Sequence, residues 1–233
     1  MLSLQQRNHA GAGLKPAPTE NNMAESESFI GIVDYGMGNL FSIERVLGHL
    51  GSPCKISSDP AVLSEAKKLI LPGVGAFGDG MRNLGQRSLA GFIKDFALSG
   101  KHILGICLGM QLLMTESEEF GSHQGLDLVP GKVVRLTDPQ PGRQIYKIPH
   151  VGWNRINFRQ FGLLDHLPLQ AFVYFVHSYA VYPDNPGDII ARTTYGNNDF
   201  CSVLARGNIF GCQFHPEISG ETGLRIIENF LNQ

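Results

Sequence analysis

A chain of 233 residues, 42% hydrophobic and 17% charged, can bury one sizeable core and has the balance of an ordinary soluble globular enzyme. Its formal net charge of -2 carries no electrostatic footprint for nucleic acid or an anionic membrane surface. No apolar run approaches the roughly 18 residues of a membrane span, and the four cysteines form no CxxC pair and no paired metal-ligand spacing.

The first stretch, Met1–Ser28, is polar and rich in Ala, Gly, Pro and Asn, with no helical or strand periodicity. It holds too little apolar surface to offset the entropy of ordering it, so it reads as a disordered N-terminal extension. A cleavable targeting peptide, or a start at Met23, are the alternatives. It lacks the apolar centre of a secretory signal. Reduced thiols and a cytoplasmic location are the expectation.

The fold begins at Phe29. FIGIVDYG, residues 29–36, is a short apolar run closed by Asp and Gly, as expected of a buried parallel strand. Leu40, Ile43, Val46, Leu47 and Leu50 then recur at helical spacing, with Asn39 as a helix cap and Gly51 as a stop. PCKISS and LILPGVG read as two further strands. The span 79–99 reads as one or two helices with Leu84, Leu89, Phe92, Ile93 and Phe96 as the apolar stripe, and KHILGI as a strand. The QLLM run after it reads as the start of a helix. Strands alternating with helices predict a three-layer α/β fold with a mostly parallel central sheet. In the C-terminal half, GKVVRL, GWNRINF, AFVYFVHSYAVY, DIIARTTY, FCSVLARG and NIFGCQF predict antiparallel additions, followed by an amphipathic helix over Glu221–Leu231. Residues 29–233 read as a single domain.

Three strand ends carry unusual loops, DYGMGN, PGVGAFG and GICLGMQ, and such ends are where chemistry gathers in parallel sheets. GICLGMQ places Cys107 between Gly105 and Gly109 on a strand-turn-helix, the spacing of a nucleophile elbow. At the start of a helix, backbone N–H groups and the dipole favour a thiolate, and the amide of Leu108 can point at an oxyanion. The alternative is a small buried apolar side chain. QFHPEIS follows an apolar strand, and extended backbone puts His215 and Glu217 on one side. His215 then serves as general acid and base with Glu217 orienting it; the alternative is a surface turn. PGVGAFG leaves the Val74 and Gly75 amides unshielded for an oxyanion, and it lacks the G-K-[ST] of a phosphate loop.

PGVGAFG, GICLGMQ and FHPE, in this order, resemble the class I (triad) glutamine amidotransferases. DYGMGNL, SEEFG, PHVGWN and YFVHSYAVY are similar to the glutaminase subunits of imidazole glycerol phosphate synthases, over Phe29 to the C-terminus. The resemblance implies a flavodoxin-like three-layer fold and hydrolysis of L-glutamine through a thioester on Cys107. It also implies that Gln111, Glu119, Ser178 and Tyr179 hold the amino and carboxylate ends of glutamine. No cofactor and no metal are implied. The implied partner is a (β/α)8-barrel cyclase subunit, which receives the ammonia and makes imidazole glycerol phosphate and aminoimidazole carboxamide ribotide for histidine biosynthesis. Asn39, His150, Trp153, Asn154, Tyr174 and Ile218 fall at that interface. Ile218 stands where many members of the family carry lysine. The rival readings are a triad amidotransferase of another pathway, such as pyridoxal phosphate, anthranilate or GMP synthesis, and a non-enzymatic regulatory subunit of the same fold.

Overall fold

The computed structural model describes residues 28–137 and 146–233. The extension read from Met1–Ser28 lies, but for Ser28, outside the described residues.

The first half alternates strand and helix as its periodicity predicts: β1 (Ile30–Val33), α1 (Leu40–His49), β2 (Cys54–Ser57), α2 (Pro60–Ser64), β3 (Lys68–Leu71), α3 (Phe77–Gln86), α4 (Leu89–Leu98), β4 (Ile103–Ile106) and α5 (Leu108–Leu112). Every residue of β1, β3 and β4 is buried, which is why they read as apolar runs, interrupted only by Lys68 at the start of β3, whose ammonium donates to the Phe230 and Leu231 carbonyls. Ile30, Ile32, Ile70 and Leu104 pack with Ile43 and Leu47 of α1 on one face of the sheet. Val33, Leu69, Leu71 and Ile103 pack with Leu84, Leu89, Ile93 and Phe96 on the other. That alternation makes three layers. Of the stripe read over 79–99, Phe92 is only half-buried.

The remaining elements are β5 (Met114–Ser117), β6 (His123–Gln124), β7 (Val129–Arg135), β8 (His150–Arg155), β9 (Asn157–Phe158), β10 (Phe172–His177), β11 (Tyr179–Pro183), β12 (Ile189–Tyr195), β13 (Asn198–Arg206), β14 (Ile209–Cys212) and α6 (Gly220–Leu231). The main sheet runs β2-β1-β3-β4-β14-β13-β11-β7-β5-β6, with β12 and β9 off this path. Its first five strands are parallel, and β13, β11 and β12 join antiparallel. The apolar run 171–182 is two strands in two sheets: β10 pairs with β8 in a separate ribbon, and β11 enters the main sheet.

Two local expectations are corrected, and one element is not anticipated. The helix entered at Gln111 ends at Leu112, and Met114 opens β5. The carbonyls of Leu112, Leu113 and Met114 accept from Leu126, Leu128 and Asp127 at 2.8, 2.9 and 3.1 Å, so no acceptors are left for another helical turn. Asn39 occupies the cap position of α1 without a side-chain hydrogen bond to it. The short α2 escapes the periodicity argument, although Asp59 caps it by accepting from Ala61 N–H at 2.8 Å and Pro60 opens it.

The glycines of the cysteine turn are dictated by close approach. A Cβ on Gly109 would stand 1.8 Å from the carbonyl oxygen of Leu71, and one on Gly105 2.7 Å from the amide of Met110. Both obstacles are backbone and cannot swing aside. Gly91 of α4, by contrast, has open space around its missing Cβ. We therefore expect Gly109→Ala to destabilise the protein by about 3 kcal/mol or more, and Gly91→Ala to stabilise it by about 0.5–1 kcal/mol, measured as shifts of the urea midpoint.

Candidate active site

Strands β3, β4 and β14 are adjacent and parallel, so their carboxyl ends open on one place. The first delivers the glycine loop with Val74 and Gly75, the second Cys107, and the third the segment leading to His215 and Glu217. A cavity of about 230 Å³ lies among them, lined by Val74, Gly75, Cys107, Leu108 and His215. Its other walls are Gln111, Glu119, Ser178 and Tyr179, together with Val176 and His177.

Cys107 is the single residue between β4 and α5, at φ 52° and ψ -110°. Such a conformation costs on the order of 1–3 kcal/mol in an L-residue and persists only where its surroundings impose it. Here the Cys107 N–H donates to the carbonyl of Cys212 at 2.7 Å, and its own carbonyl accepts from Gln111 N–H at 3.2 Å. The sulfur lies 3.9 Å from the Val176 carbonyl oxygen and 3.8 Å from the Gln213 side-chain nitrogen.

His215 Nδ1 meets Glu217 Oε1 at 2.8 Å, and the two side chains are 5% and 1% exposed. A carboxylate accepts, so Nδ1–H donates and Nε2 is left as the reactive nitrogen. That Nε2 and Glu217 Oε2 are buried and make no hydrogen bond. The imidazole is pushed up to about 10: burial opposes its charge, and the Cys107 sulfur and Glu217 carboxylate beside it more than compensate. This nitrogen set can accept a proton from a thiol and return it to a leaving group.

The polar residues around the cavity have partners of their own. Gln111 donates from Nε2 to the Tyr179 carbonyl at 2.9 Å and to Gln213 Oε1 at 3.2 Å. Glu119 accepts from Phe77 N–H at 2.6 Å, capping α3, and burial raises its carboxyl above the ordinary range. The Leu108 amide donates to the carbonyl of Gly73 at 3.3 Å. An oxyanion would have to displace that carbonyl. Gly75, at φ 115°, holds a conformation open to glycine. Sequence reasoning does not single out Gln213, which links Gln111 to the sulfur; its signal is a lone buried amide inside the apolar run IFGCQF.

The residues assigned to an interface divide between two faces. In the β8–β10 ribbon, Val151 pairs with Val176 and Trp153 with Tyr174. Val151, Trp153, Phe172 and Val176 stand exposed, as does Ile218, and the Trp153 and Tyr174 rings meet edge to face at 6.1 Å. His150 is not on that face. Strand alternation turns it inward, where it is 2% exposed and stacked on Tyr195 and Phe175. The half-buried Asn154 is on the inward side too, donating to the Thr194 carbonyl at 3.1 Å.

The model of the family described as "Glutamine amidotransferase class-I" matches residues 31–233. "Imidazole glycerol phosphate synthase subunit HisH 1" of Legionella pneumophila (strain Paris) is 45% identical over 210 residues, covering 88% of this chain and 99% of that protein. The HisH subunit of Sulfurimonas denitrificans is 50% identical over 201 residues, covering 86% and 96%. Among solved structures, a glutamine amidotransferase matches with a TM-score of 0.68 at 19% identity, covering 88% of this chain and 98% of that one. At that identity the likeness speaks for the fold.

Replacing Cys107 by Ala removes one of the two influences that raise the His215 pKa and leaves the burial that lowers it. The imidazole titration midpoint, followed by NMR of the ring, is therefore expected to fall from about 10, and an unmoved midpoint would show the sulfur to be out of electrostatic reach.

Proposed function

This chain belongs to the class I glutamine amidotransferases, and on that premise we propose that Cys107, His215 and Glu217 are its catalytic triad. The protein hydrolyses L-glutamine to glutamate and ammonia as the glutaminase subunit of an imidazole glycerol phosphate synthase, in histidine biosynthesis. The observation that supports this assignment of roles most directly is the convergence of three neighbouring strand ends on one cavity bearing a strained thiol and a buried imidazole–carboxylate pair.

In this reading Cys107 Sγ attacks the side-chain amide carbon of glutamine, and His215 holds the thiol proton on Nε2. The tetrahedral oxyanion draws on the amides of Leu108, Val74 and Gly75. Collapse expels ammonia, which takes the proton from His215, and leaves a glutamyl thioester. His215 then accepts a proton from water, hydroxide adds to the thioester carbon, and glutamate departs as the sulfur regains its proton. Glu217 keeps the ring in the Nδ1–H form throughout. Glu119 receives the substrate ammonium, which replaces water at a carboxylate that burial makes eager for a positive partner. The Ser178–Tyr179 backbone amides hold the carboxylate end, with Gln111 fixing that corner through the Tyr179 carbonyl.

As a subunit of a synthase the chain works with a cyclase subunit. We read that partner as a (β/α)8 barrel seated on Val151, Trp153, Tyr174, Phe172 and Ile218. An apolar patch with aromatic residues at its centre is the usual anatomy of a docking surface. Asn39 stands beyond the ribbon, at the start of α1. Ile218 in place of lysine makes this contact apolar where others are charged. Residues 29–233 form one amidotransferase domain in this reading. No described helix is long and apolar enough to cross a membrane, and we place the complex in the cytoplasm.

Two measurements test the assignment. A glutamine-analogue chloroketone is expected to label Cys107 stoichiometrically by mass spectrometry, and Cys107→Ala to abolish both labelling and glutamate release. Label on Cys54, Cys201 or Cys212 would remove the basis for the mechanism. The Gly73 carbonyl occupying the Leu108 amide implies a resting site short of one oxyanion donor. One such donor is worth roughly 10²–10³ in rate, so glutamate release by the isolated subunit should be slower than that of the ligand-bound synthase complex by at least about 100-fold.

A further inference from the structure

We propose that His150 and His177 are positioning residues for glutamine: a neutral two-histidine relay, anchored outside by Asn154, that fixes the Ser178–Tyr179 corner of the cavity. The proposal rests on the reading of that cavity as the glutamine site.

The corner is where the chain leaves the β8–β10 ribbon at His177 and enters the main sheet at Tyr179. Ser178 alone makes the crossing; its carbonyl accepts from Leu136 N–H at 2.8 Å, and the rest of its geometry depends on what holds the two ends. The Tyr179 carbonyl is held twice, by Gln111 Nε2 at 2.9 Å and by His177 Nδ1 at 2.9 Å. A carbonyl accepts only, so the His177 proton is on Nδ1. Its Nε2 is then an acceptor in the neutral ring, and His150 Nδ1, 3.1 Å away, must donate to it. That leaves His150 Nε2 to accept from Asn154 Nδ2 at 3.5 Å, a donor shared with the Thr194 carbonyl. Each tautomer follows from the one before it, and the direction of the chain is set by the carbonyl at the cavity.

Neutrality is what allows this polarity, and burial enforces it. Removal from water lowers His177 to about 3 and His150 to about 4. Around them are Phe175, Phe200 and Tyr195, with His150 stacked at 3.9 Å on the ring of Tyr195 and 4.7 Å on that of Phe175. A wholly aromatic core would pack this space without polar groups that need satisfying. What the imidazoles add is a hydrogen-bonded line from β8 to the wall of the cavity. Because the line ends on the Tyr179 carbonyl at the binding corner, breaking it should act on affinity for glutamine.

Two substitutions of His150 separate this role from packing. Asn puts a donor where Nδ1 was and discards the ring. Phe keeps the ring and its stacking and discards the donor. In the assembled synthase, the relay predicts a KM for glutamine raised about tenfold in His150→Phe with kcat within about threefold, and KM within about twofold of the parent in His150→Asn. An unchanged KM in His150→Phe, a larger KM in His150→Asn than in His150→Phe, or a loss confined to kcat would overturn it. Should His150→Phe not fold, as judged by its thermal midpoint, Asn154→Ala removes the outer donor, along with its bond to the Thr194 carbonyl, and should raise KM about threefold; no change there would also overturn the relay. An unsubstituted complex that releases no glutamate would instead overturn the glutamine reading, so the two failures are distinguishable.

Discussion

The closeness of two backbones at one point governs this molecule: the start of α5 against the end of β3. A missing Cβ at Gly109 lets the helix rest on the Leu71 carbonyl, and a missing Cβ at Gly105 lets the same turn fold back over its own strand. With those contacts in place, the only path from β4 to α5 takes Cys107 through φ 52°. The strain at Cys107 is therefore imposed by packing, with the carbonyl of β14's last residue fastening it from the third strand at 2.7 Å. The same contact that turns Cys107 into the cavity also fixes which strands flank it. The loop after β3 and the segment after β14 become its neighbours by topology.

From that arrangement follows the electrostatic state of the site. An imidazole and a carboxylate that would each pay heavily for burial alone are buried together, 2.8 Å apart, next to a polarisable sulfur. Burial disfavours the imidazolium, yet the two neighbours reverse its sign. The contrasting pair at His150 and His177 makes the point by difference. They are equally deep and lack an acidic partner, and they remain neutral and serve as hydrogen-bond conduits. Histidine here does two jobs in one core, and the neighbouring sulfur and carboxylate decide which.

Much of this was legible in the sequence because close approach and strand-end loops leave marks at fixed spacing. Gly105-Cys107-Gly109 announces the elbow; the His215–Glu217 pair also forms, but on a 3-10 turn over Pro216–Ile218 in place of the extended backbone from which it is expected. The first-half strands and helices followed from periodicity, since strands buried on both faces and one-sided helices have different patterns. What was not legible depended on acceptors and faces supplied from afar. Nothing near Met114 says that residues 126–128 will take the carbonyls a helix would need. Nothing in PHVGWN says which alternate set faces outward, and His150 and Trp153 point to opposite sides. The occupied Leu108 amide is likewise a tertiary fact.

The β8–β10 ribbon joins these threads because its two faces do different work. Its outer face is apolar, with Trp153 and Tyr174 as neighbours across the pair. Its inner face carries His150 and His177, paired with each other in register. β10 also holds the His215 segment directly: the Tyr174 carbonyl accepts from His215 N–H at 3.0 Å, and the Tyr174 N–H donates to Ser219 Oγ at 2.9 Å. Ser219 in turn donates to the His215 carbonyl. One strand residue thus turns its ring outward while its peptide grips the turn bearing the imidazole. A body seated on the outer face presses on a two-stranded element, which has little stiffness of its own. Any tilt of β10 is shared by the His215 turn through backbone hydrogen bonds and by the Ser178–Tyr179 corner through covalent continuity. Chemistry and binding are hinged to the same strand, and that is a physical route by which docking at the ribbon can act on both.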